Sequence, residues 1–586
     1  MIMDTKYSND VNVQLLLALM KAHGIKKVIT SPGVANIPVV ASMQYDGEFE
    51  MYSSVDERSA AYIACGLAEE SGEPVAITCT GATASRNYMP GLTEAYYRKL
   101  PILAITATKD IAGIGHNLPQ LIDRRALPND IAKYSLQLPN IHTDGEKNEY
   151  TTLINEALLE LRRKGGGPVH INITNSYSAK FEIEKLPEVN VIKRYYKEDE
   201  FPAMPKGKVA IFVAAHSKWS QELTTAVEEF CEKYNAVVLV EQDSNYRGKY
   251  SVFPNLLIAQ REYFASCCNL DLMIYIGHIY GTDFQNINPK EVWRVNEDGQ
   301  VRDTFGNLTS VFEMTELDFF KKCNDCKSNK EINTFIEEWN KELNEIKGKM
   351  PVFPFSNIWV AQQTLPKLPA DAIVHFGIQN SLRSWNYFGA DSAPSILGYC
   401  NTGGFGIDGC VSSLVGASLV NPKQLYFGIV GDLAFFYDMN ALGNRHVGNN
   451  LRLIVVNNGR GQQFRSPYSA GGRFGEDADK YIAAAGHYGK QSRNLLKHYA
   501  EDLGFSYLKA EDKNEYLSNL DEFLNKDIKA SIVFEIFTDT EDESESVRLI
   551  KNIVHSNYQM FEKKAKNVVR SLIGQEAVTA IKKIIK

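Results

Sequence analysis

The sequence predicts an α/β protein built from three consecutive doubly wound parallel-sheet domains followed by a C-terminal helical tail. Three observations carry that expectation. The chain has 586 residues, too many for one hydrophobic core at about 150 residues per domain. Short continuous apolar runs alternate with stretches of helical period along most of its length. Those runs lack the in/out alternation of half-exposed strands, which points to strands covered on both faces.

The elements follow in order. Val11–His23 carries apolar residues at helical spacing, and Lys27–Thr30 is a strand that stops at Ser31-Pro32-Gly33. Met51–Ser54 is a second strand, and a helix starting near Arg58 runs through Ala60, Ala61, Ile63, Ala64 and Leu67. Pro74–Thr78, Pro101–Ala107 and Val169–Thr174 are continuous apolar strands that complete a first domain over 1–180. Residues 181–206 have mixed charge, three prolines and no period, and read as a linker. A middle domain over 190–349 has strands at Lys208–Val213, Ala236–Val240 and Leu272–Ile276 and an amphipathic helix from Ser220 to Tyr234. It closes with a solvated helix, Glu331 to Lys349. A third domain over 351–545 has strands at Ala372–Phe376, Leu425–Val430, Leu451–Asn457 and Ala530–Phe537. The tail, 546–586, holds nine Lys/Arg against two Glu from Val547 on and is expected to pack on the protein.

Composition excludes several classes. Hydrophobic residues at 44% and charged residues at 23% are globular values. With 63 basic against 71 acidic residues, net −8, the chain lacks the basic footprint of a nucleic-acid binder. No run approaches the roughly 18 apolar residues of a membrane helix, and the polar start does not resemble a signal peptide. A soluble cytoplasmic protein is expected. Nine scattered cysteines, with Cys323 and Cys326 the one CxxC, read as reduced structural thiols rather than a disulfide framework or a zinc site.

The strongest chemical signal lies in the third domain. Tyr426–Val430 runs into Gly431-Asp432-Leu433, and after a helix the strand Leu453–Val456 ends at Asn457-Asn458-Gly459. Both strands deliver oxygen ligands to the carboxyl edge of one parallel sheet, where open α/β folds bind ligands. A carboxylate from Asp432, an amide oxygen from Asn458 and a backbone carbonyl just after it suit Mg²⁺, which shares octahedral oxygen coordination with a phosphate. Gly431 leaves room for that phosphate beside a helix N-terminus. Alone, the two turns also fit an ordinary crossover, since Gly, Asp and Asn are frequent turn residues. In the first domain, Glu57 stands at a strand-to-helix junction, where it could equally charge-cap the helix. A Mg²⁺-diphosphate site and a buried glutamate are together what thiamin diphosphate requires: the carboxyl, its pKa raised by burial, shares a proton with the aminopyrimidine ring.

Gly431-Asp432 to Asn457-Asn458, with Glu57 upstream, resembles the thiamin-diphosphate-dependent enzymes of the decarboxylase and acetohydroxyacid synthase kind. Ser31-Pro32-Gly33, Asn87–Pro90, Glu94–Tyr97, Asn380-Ser381-Leu382, Gly406–Gly409 and Tyr437–Leu442 look most like its menaquinone-pathway carboligase branch. The resemblance covers about residues 10 to 540 and implies roles. Glu57 activates the cofactor; Asp432, Asn458 and the carbonyl of Arg460 hold Mg²⁺; Asn380, Ser381 and Gly431 lie against the diphosphate; Ile407 wedges between the rings. Gly406, Leu433 and Gln463 are further cofactor-binding positions, and Gln120 lies near the reacting carbon. The first and third domains become pyrimidine- and diphosphate-binding, with the site between subunits of a homodimer or homotetramer. The implied reaction decarboxylates a 2-oxo acid and transfers the activated aldehyde to an acceptor.

Departures from the branch concern the substrate. Val34-Ala35-Asn36 replaces Ser-Arg-Ser, Thr108-Lys109-Asp110 replaces Asp-Arg-Pro, and arginines are missing at Thr402 and near Trp385, although Arg383 lies two positions away. Losing three of four carboxylate-gripping arginines, at about 1.5–3 kcal/mol each, weakens a dianionic substrate by orders of magnitude. Lys109, Arg460, Arg465 and Arg86 are compensating candidates, with Lys109 and Arg460 the catalytic choices among them, so an altered substrate is expected. His116 and His487 are weaker acid/base candidates, better read as surface or structural residues. Competing readings are a simple decarboxylase and a silent cofactor-binding subunit. A nicotinamide enzyme lacks its Gly-x-Gly-x-x-Gly after a first strand.

Overall fold

The computed structural model describes residues 6–176, 180–282, 284, 286–325, 333–389, 396–527 and 529–554. These fall into two compact units. One holds the described residues up to Phe201 with Val292–Glu313, and the other holds Pro202–Glu291 with the described residues from Met314 on. The segment 190–349, expected as a single middle domain, contributes to both.

The first unit opens with β1 (Lys27–Thr30), β2 (Glu50–Ser53), β3 (Val75–Cys79), β4 (Ile102–Thr108), β5 (Tyr134–Leu138) and β6 (Val169–Thr174). They form one sheet in the order β2-β1-β3-β4-β6-β5 with every pairing parallel. Strands β3, β4 and β6 are buried throughout because helices cover both faces. Val28, Leu103, Ile105 and Ile171 pack with the Val11–Ala22 and Asp144–Glu160 helices. Ile29, Ile77 and Ile102, one residue out of phase, pack with Glu57–Ser71 and Met89–Arg98. This is the doubly wound arrangement expected. The stretch 181–206 is not all linker: β7 (Lys193–Tyr195) lies inside it. Its Lys-Arg-Tyr sequence has no apolar run to announce a strand.

The second unit begins with β8 (Val209–Val213), β9 (Ala236–Val240), β10 (Ser251–Val252), β11 (Asn269–Leu270), β12 (Leu272–Ile276) and β13 (Asn288–Pro289). There β10-β9-β8-β12 form a parallel array, and β11 pairs with β13. The chain then contributes β14 (Val292–Val295) and β15 (Leu308–Phe312) to the first unit, where β14 pairs with β15 and β15 with β7. The helix expected as solvated at Glu331 to Lys349 is Phe335–Lys347 among the described residues. It buries Phe335, Trp339, Leu343 and Ile346, so it is amphipathic rather than solvated all round.

The remaining strands are β16 (Ala372–Phe376), β17 (Ile396–Cys400), β18 (Tyr426–Gly431), β19 (Leu451–Asn457), β20 (Ser506–Ala510) and β21 (Ile532–Phe537). Their order is β17-β16-β18-β19-β21-β20, again all parallel. Leu414, Phe435, Leu496 and Val455 form the core on one face. Stacked and edge contacts among Trp359, Tyr516, Phe523 and Phe534 fill the other. The last described helix, Thr540–Ile550, starts at the Asp539 cap and crosses the expected boundary at 546. The expected helical tail beyond residue 554, like Cys326 of the CxxC, lies outside the described residues.

Candidate active site

Strands β18 and β19 are neighbours, with Gly431 opposite Val456, so both end at the same edge of the second unit's large sheet. A side chain added at Gly431 would meet nothing within 4 Å, so the backbone there faces open space. Asp432 opens the helix Asp432–Asp438 with its carboxyl buried. Burial pushes its pKa up to about 7, opposed by backbone N–H groups of Leu433, Asn458 and Gly459.

The two asparagines that end β19 divide the work. Asn457 donates from Nδ2 to Glu535 Oε1 at 2.6 Å and accepts at Oδ1 from the Gly459 N–H at 3.1 Å. That double tie, with Gly459 at φ +72°, fixes the turn. Asn458 Oδ1 is buried with no hydrogen-bond partner among the described residues. A buried carboxylate and an unmet amide oxygen from adjacent strand ends form a donor set suited to a hard cation. No group of three or more His, Cys, Asp or Glu is placed to hold a metal among the described residues. A site here therefore relies on one carboxylate plus amide and backbone oxygens.

Arg460 follows this turn, but its side chain is committed. Arg460 Nη1 and Arg465 Nη1 both bind Asp479, each at 2.7 Å. As grips on a substrate carboxylate, these two expected cations already share an acid nineteen and fourteen residues away along the chain. Asn380 begins the helix Asn380–Asn386 after Gln379, whose φ of 68° turns the chain into it, and Ser381 is buried. Asn380, Arg383 and Gln463 line one cavity of about 800 Å³ within this unit. Asn458 lines another, of about 700 Å³, with Lys490, Arg493 and Asp512. Trp385 is fully buried against the Phe376 ring, centroids 5.4 Å apart, and Thr402 is buried too. A Cβ at Gly406 would meet only the Asp408 carboxylate, 2.3 Å from Oδ1, on an exposed side chain that can turn away. Ile407 and Leu433 are half-buried, and the Ile407 carbonyl accepts from Cys410 Sγ at 3.4 Å.

In the first unit the corresponding edge gathers the ends of β2, β1, β3 and β4. There lie Glu57, Gly33, Gly81 and Lys109. Gly33 packs so closely that a Cβ would be 2.5 Å from Thr80 Cβ. A Cβ on Gly81 would lie 3.3 Å from the Gln120 carbonyl, which brings the exposed, left-handed Gln120 (φ 61°) to this edge. Lys109 Nζ donates to the Pro119 carbonyl at 3.3 Å, and Arg86 Nη2 to the Asp123 carbonyl at 2.9 Å. Glu57, expected to be buried, is only half-buried within its own unit, with Asn87 Nδ2 3.4 Å from its Oε2. It sits in the first turn of its helix, and the same unit exposes Val34, Ile37, Tyr52, Val55, Tyr62 and Ile63. His116 and His487 are exposed.

Some polar groups had no counterpart in the sequence reading. His170 is buried in β6 between Thr106 Oγ1 (2.7 Å) and Ser135 Oγ (2.9 Å), and burial drives its pKa down to about 3. A histidine inside the apolar run Val169–Thr174 was the available signal. In the second unit Glu241 and Asp243 are fully buried with raised pKa values, caused first by desolvation. Glu241 accepts from Asn386 Nδ2 at 3.1 Å and the Gly281 N–H at 2.9 Å. No spacing in the sequence pairs these residues.

Residues 12–127 match the family described as thiamine pyrophosphate enzyme, N-terminal TPP binding domain. The chain is similar to the 2-succinyl-5-enolpyruvyl-6-hydroxy-3-cyclohexene-1-carboxylate synthase of Bacteroides fragilis, 31% identical over 574 residues, 94% of this chain and 99% of that protein. The synthase of the same name from Bacteroides thetaiotaomicron is 30% identical over 94% of this chain and 99% of its own length. Among solved structures, the thiamine diphosphate-dependent 4-hydroxybenzoylformate decarboxylase of Rhodococcus jostii RHA1 is 16% identical, covers 90% of this chain and 99% of its own, and has a TM-score of 0.37. At that level it adds nothing to what the sequence relatives establish.

Proposed function

This chain belongs to the thiamin-diphosphate-dependent enzymes, in the family of the 2-succinyl-5-enolpyruvyl-6-hydroxy-3-cyclohexene-1-carboxylate synthases, and from that premise we propose a Mg²⁺-dependent 2-oxo acid decarboxylase that passes the activated aldehyde to an acceptor other than that of its relatives. Thiamin diphosphate, when bound, supplies the electron sink for loss of CO₂. Asp432, Asn458 and the Arg460 carbonyl would hold Mg²⁺, and the observation that carries this is the unpartnered Asn458 Oδ1 beside a buried carboxylate. Gly431, Asn380 and Ser381 would seat the diphosphate, with Gly406, Leu433 and Gln463 around them and Ile407 between the cofactor's rings.

A Glu57 carboxyl oxygen would hold the proton it exchanges with the aminopyrimidine nitrogen. Half-buried in its own unit, which also exposes Val34, Ile37, Val55 and Ile63, it would gain full burial under a second subunit. This favours a homodimer, or a homotetramer built from it, with residues 1–180 of one subunit as pyrimidine-binding domain and 351–545 of its partner as diphosphate-binding domain. On this division 190–349 is the middle domain and 546–586 the tail. Gln120 and Lys109, at the same edge as Glu57, would orient the reacting acid. No described helix is long and apolar enough to cross a membrane, which fits a cytoplasmic enzyme.

An altered substrate is supported by the burial of Thr402, where the resemblance implies a carboxylate-gripping arginine, and of Trp385, near which it implies another. The test is a CO₂-release screen over pyruvate, 2-oxoglutarate and other 2-oxo acids, with product analysis in the presence of acceptors. Wild type should release CO₂ from at least one acid and form an adduct, and Glu57→Gln should lose activity by several orders of magnitude while still binding the cofactor. Undiminished CO₂ release by Glu57→Gln would refute the assignment. Aldehyde as sole product with every acceptor would reduce the enzyme to a simple decarboxylase.

A further inference from the structure

One buried acid at the carboxyl edge of the second unit's large sheet takes no part in the proposed cofactor site. Strand β21 pairs with β19, and just past its end the Thr538 N–H donates to the Asn457 carbonyl at 3.1 Å. The helix Thr540–Ile550 then starts at its Asp539 cap and carries Glu543 in its first turn. Glu543 is 4% exposed and lines the cavity of about 800 Å³ together with Asn380 and Gln463. Its Oε1 accepts from the Asn357 N–H at 3.0 Å and from Thr538 Oγ1 at 2.8 Å, which fastens the Asn357–Thr364 helix to the end of β21. Oε2 makes no hydrogen bond among the described residues, yet, unlike Asn458 Oδ1 or Gln462 Oε1, it is not sealed off. The carboxyl thus gives one oxygen to the fold and leaves the other to the cavity.

Burial favours the neutral form of this acid. Desolvation pushes the Glu543 pKa up to about 7, against the pull of its two hydrogen-bond donors. The surrounding charges do not reverse that rise. Asp542, one residue back, raises the pKa further, and the Asn357–Thr364 helix carries no titratable side chain. Asp539 Oδ1 is taken up by the Glu541 N–H at 2.8 Å. Of the other charged residues lining the cavity, Arg383 acts on the buried Glu241, Arg261 and Lys551 lie 4.7 and 5.3 Å from the Tyr468 centroid, and Glu262 is exposed. A carboxyl balanced between its two forms near neutral pH can both give a proton and regain one.

Joining an activated aldehyde to an acceptor needs such a group. The new carbon–carbon bond displaces a π pair of the acceptor's carbonyl or conjugated double bond, and that pair must take up a proton. In the balance R–CO–COO⁻ + acceptor + H⁺ → CO₂ + R–CO–acceptor–H, the proton comes from neither substrate. We infer that Glu543 delivers it from Oε2 to an acceptor bound in this cavity, and that the carboxylate, still held through Oε1, regains a proton from solvent. The inference rests on the proposed carboligase reading and adds to it the source of the acceptor's proton.

Glu543→Gln is the test, because an amide oxygen can still accept from Asn357 and Thr538 while the side chain has no acidic proton to give. A role confined to the fold therefore predicts no change. In the holoenzyme, with the 2-oxo acid and acceptor found by the CO₂-release screen, adduct formation should fall about hundredfold or more. The loss of rate that wild type shows as pH rises through about 7 should vanish in the variant. A second readout needs no turnover: infrared spectra of wild-type minus variant holoenzyme should show one protonated-carboxyl band that fades over the same pH range and shifts at once in D₂O. Cofactor titrations like those of wild type, with no lowering of the thermal midpoint, establish that the variant is folded. Wild-type adduct rates and pH profile in Glu543→Gln, or a carboxyl band that does not exchange in D₂O, overturn the inference. If wild type forms adduct and the variant is unchanged, the proton donor alone is refuted; if wild type turns over no 2-oxo acid, the carboligase reading fails first and takes the donor with it.

Discussion

Asn457 and Asn458 are adjacent, chemically identical and oppositely employed, and truncating each separates a structural role from a cofactor role. Asn457→Ala removes a hydrogen bond to the Glu535 carboxylate, made at 2.6 Å, and one from the Gly459 N–H, made at 3.1 Å. Glu535 stays buried, keeping the Tyr507 hydroxyl at 2.8 Å as its side-chain hydrogen bond among the described residues, with Arg493 acting on it at longer range. A bond to a charged group contributes about 1.5–3 kcal/mol and a neutral one about 0.5–1.5 kcal/mol, so the apo protein should lose about 2–4 kcal/mol. Asn458 Oδ1 has no partner to lose, and its backbone N–H, which faces Asp432, survives truncation. Asn458→Ala should therefore leave apo stability within about 0.5 kcal/mol of wild type. The assay is urea denaturation of apo protein and of protein saturated with Mg²⁺ and thiamin diphosphate. Because a multidomain chain need not unfold in two states, midpoints rather than extrapolated free energies are compared. Asn457→Ala should shift the apo midpoint, whereas Asn458→Ala should keep it and lose the added stabilisation conferred by the loaded cofactor. If both variants lower the apo midpoint equally, or Asn458→Ala keeps full cofactor-dependent stabilisation, the division of labour at the end of β19 is wrong.

Two further outcomes test other parts of the account. Trp385→Arg, which puts an arginine close to where the resemblance implies one, should destabilise the second unit by about 3–5 kcal/mol and win no turnover of dianionic 2-oxo acids, because that side chain is buried on Phe376; a stable variant with improved 2-oxoglutarate turnover would contradict this. His170 is held neutral in the fold, its pKa lowered from 6.5 to about 3, so the unfolded chain binds its proton more readily. Its contribution is complete above pH 6.5 and is lost as pH falls from there toward 3, on the order of 3–5 kcal/mol in total, so His170→Gln should flatten the stability profile across that window; an unchanged slope would refute it.

Interior strands such as Val169–Thr174 and Leu451–Asn457 were legible because burial on both faces writes a largely apolar run, whereas interior Val292–Val295, with Arg294 in it, and Leu308–Phe312, with Thr309 and Ser310, were not. Tyr134–Leu138, Ile396–Cys400 and Ser506–Ala510 were missed, and each is an edge strand of its sheet with half-exposed or exposed positions. Each is short and lacks the uninterrupted apolar run of an interior strand: Tyr134-Ser135-Leu136-Gln137-Leu138 alternates, Gly398 breaks Ile396–Cys400, and Ser506 and Lys509 are exposed. At the candidate site, strand ends and the Glu57 helix start could be read from local sequence. The pairing of Arg460 and Arg465 with Asp479, set by the loop that follows β19, and the bond from Asn457 to Glu535, set by the pairing of β19 with β21, could not. The partial exposure of Glu57 was hidden for a different reason: periodicity predicts which face of a helix is apolar, not whether its own unit covers it.

The central claim is that Glu57 of one subunit serves the Asp432 site of another, and intersubunit complementation tests it most directly. Glu57→Gln and Asp432→Asn are each expected to be inactive alone. Co-expressed with distinguishable tags, a mixed dimer would contain one intact site and one doubly altered site, so random assortment should recover about a quarter of wild-type CO₂ release. Purified heterodimers should recover about half. No recovery in heterodimers that assemble and bind cofactor would place both residues in one chain's site and contradict the account.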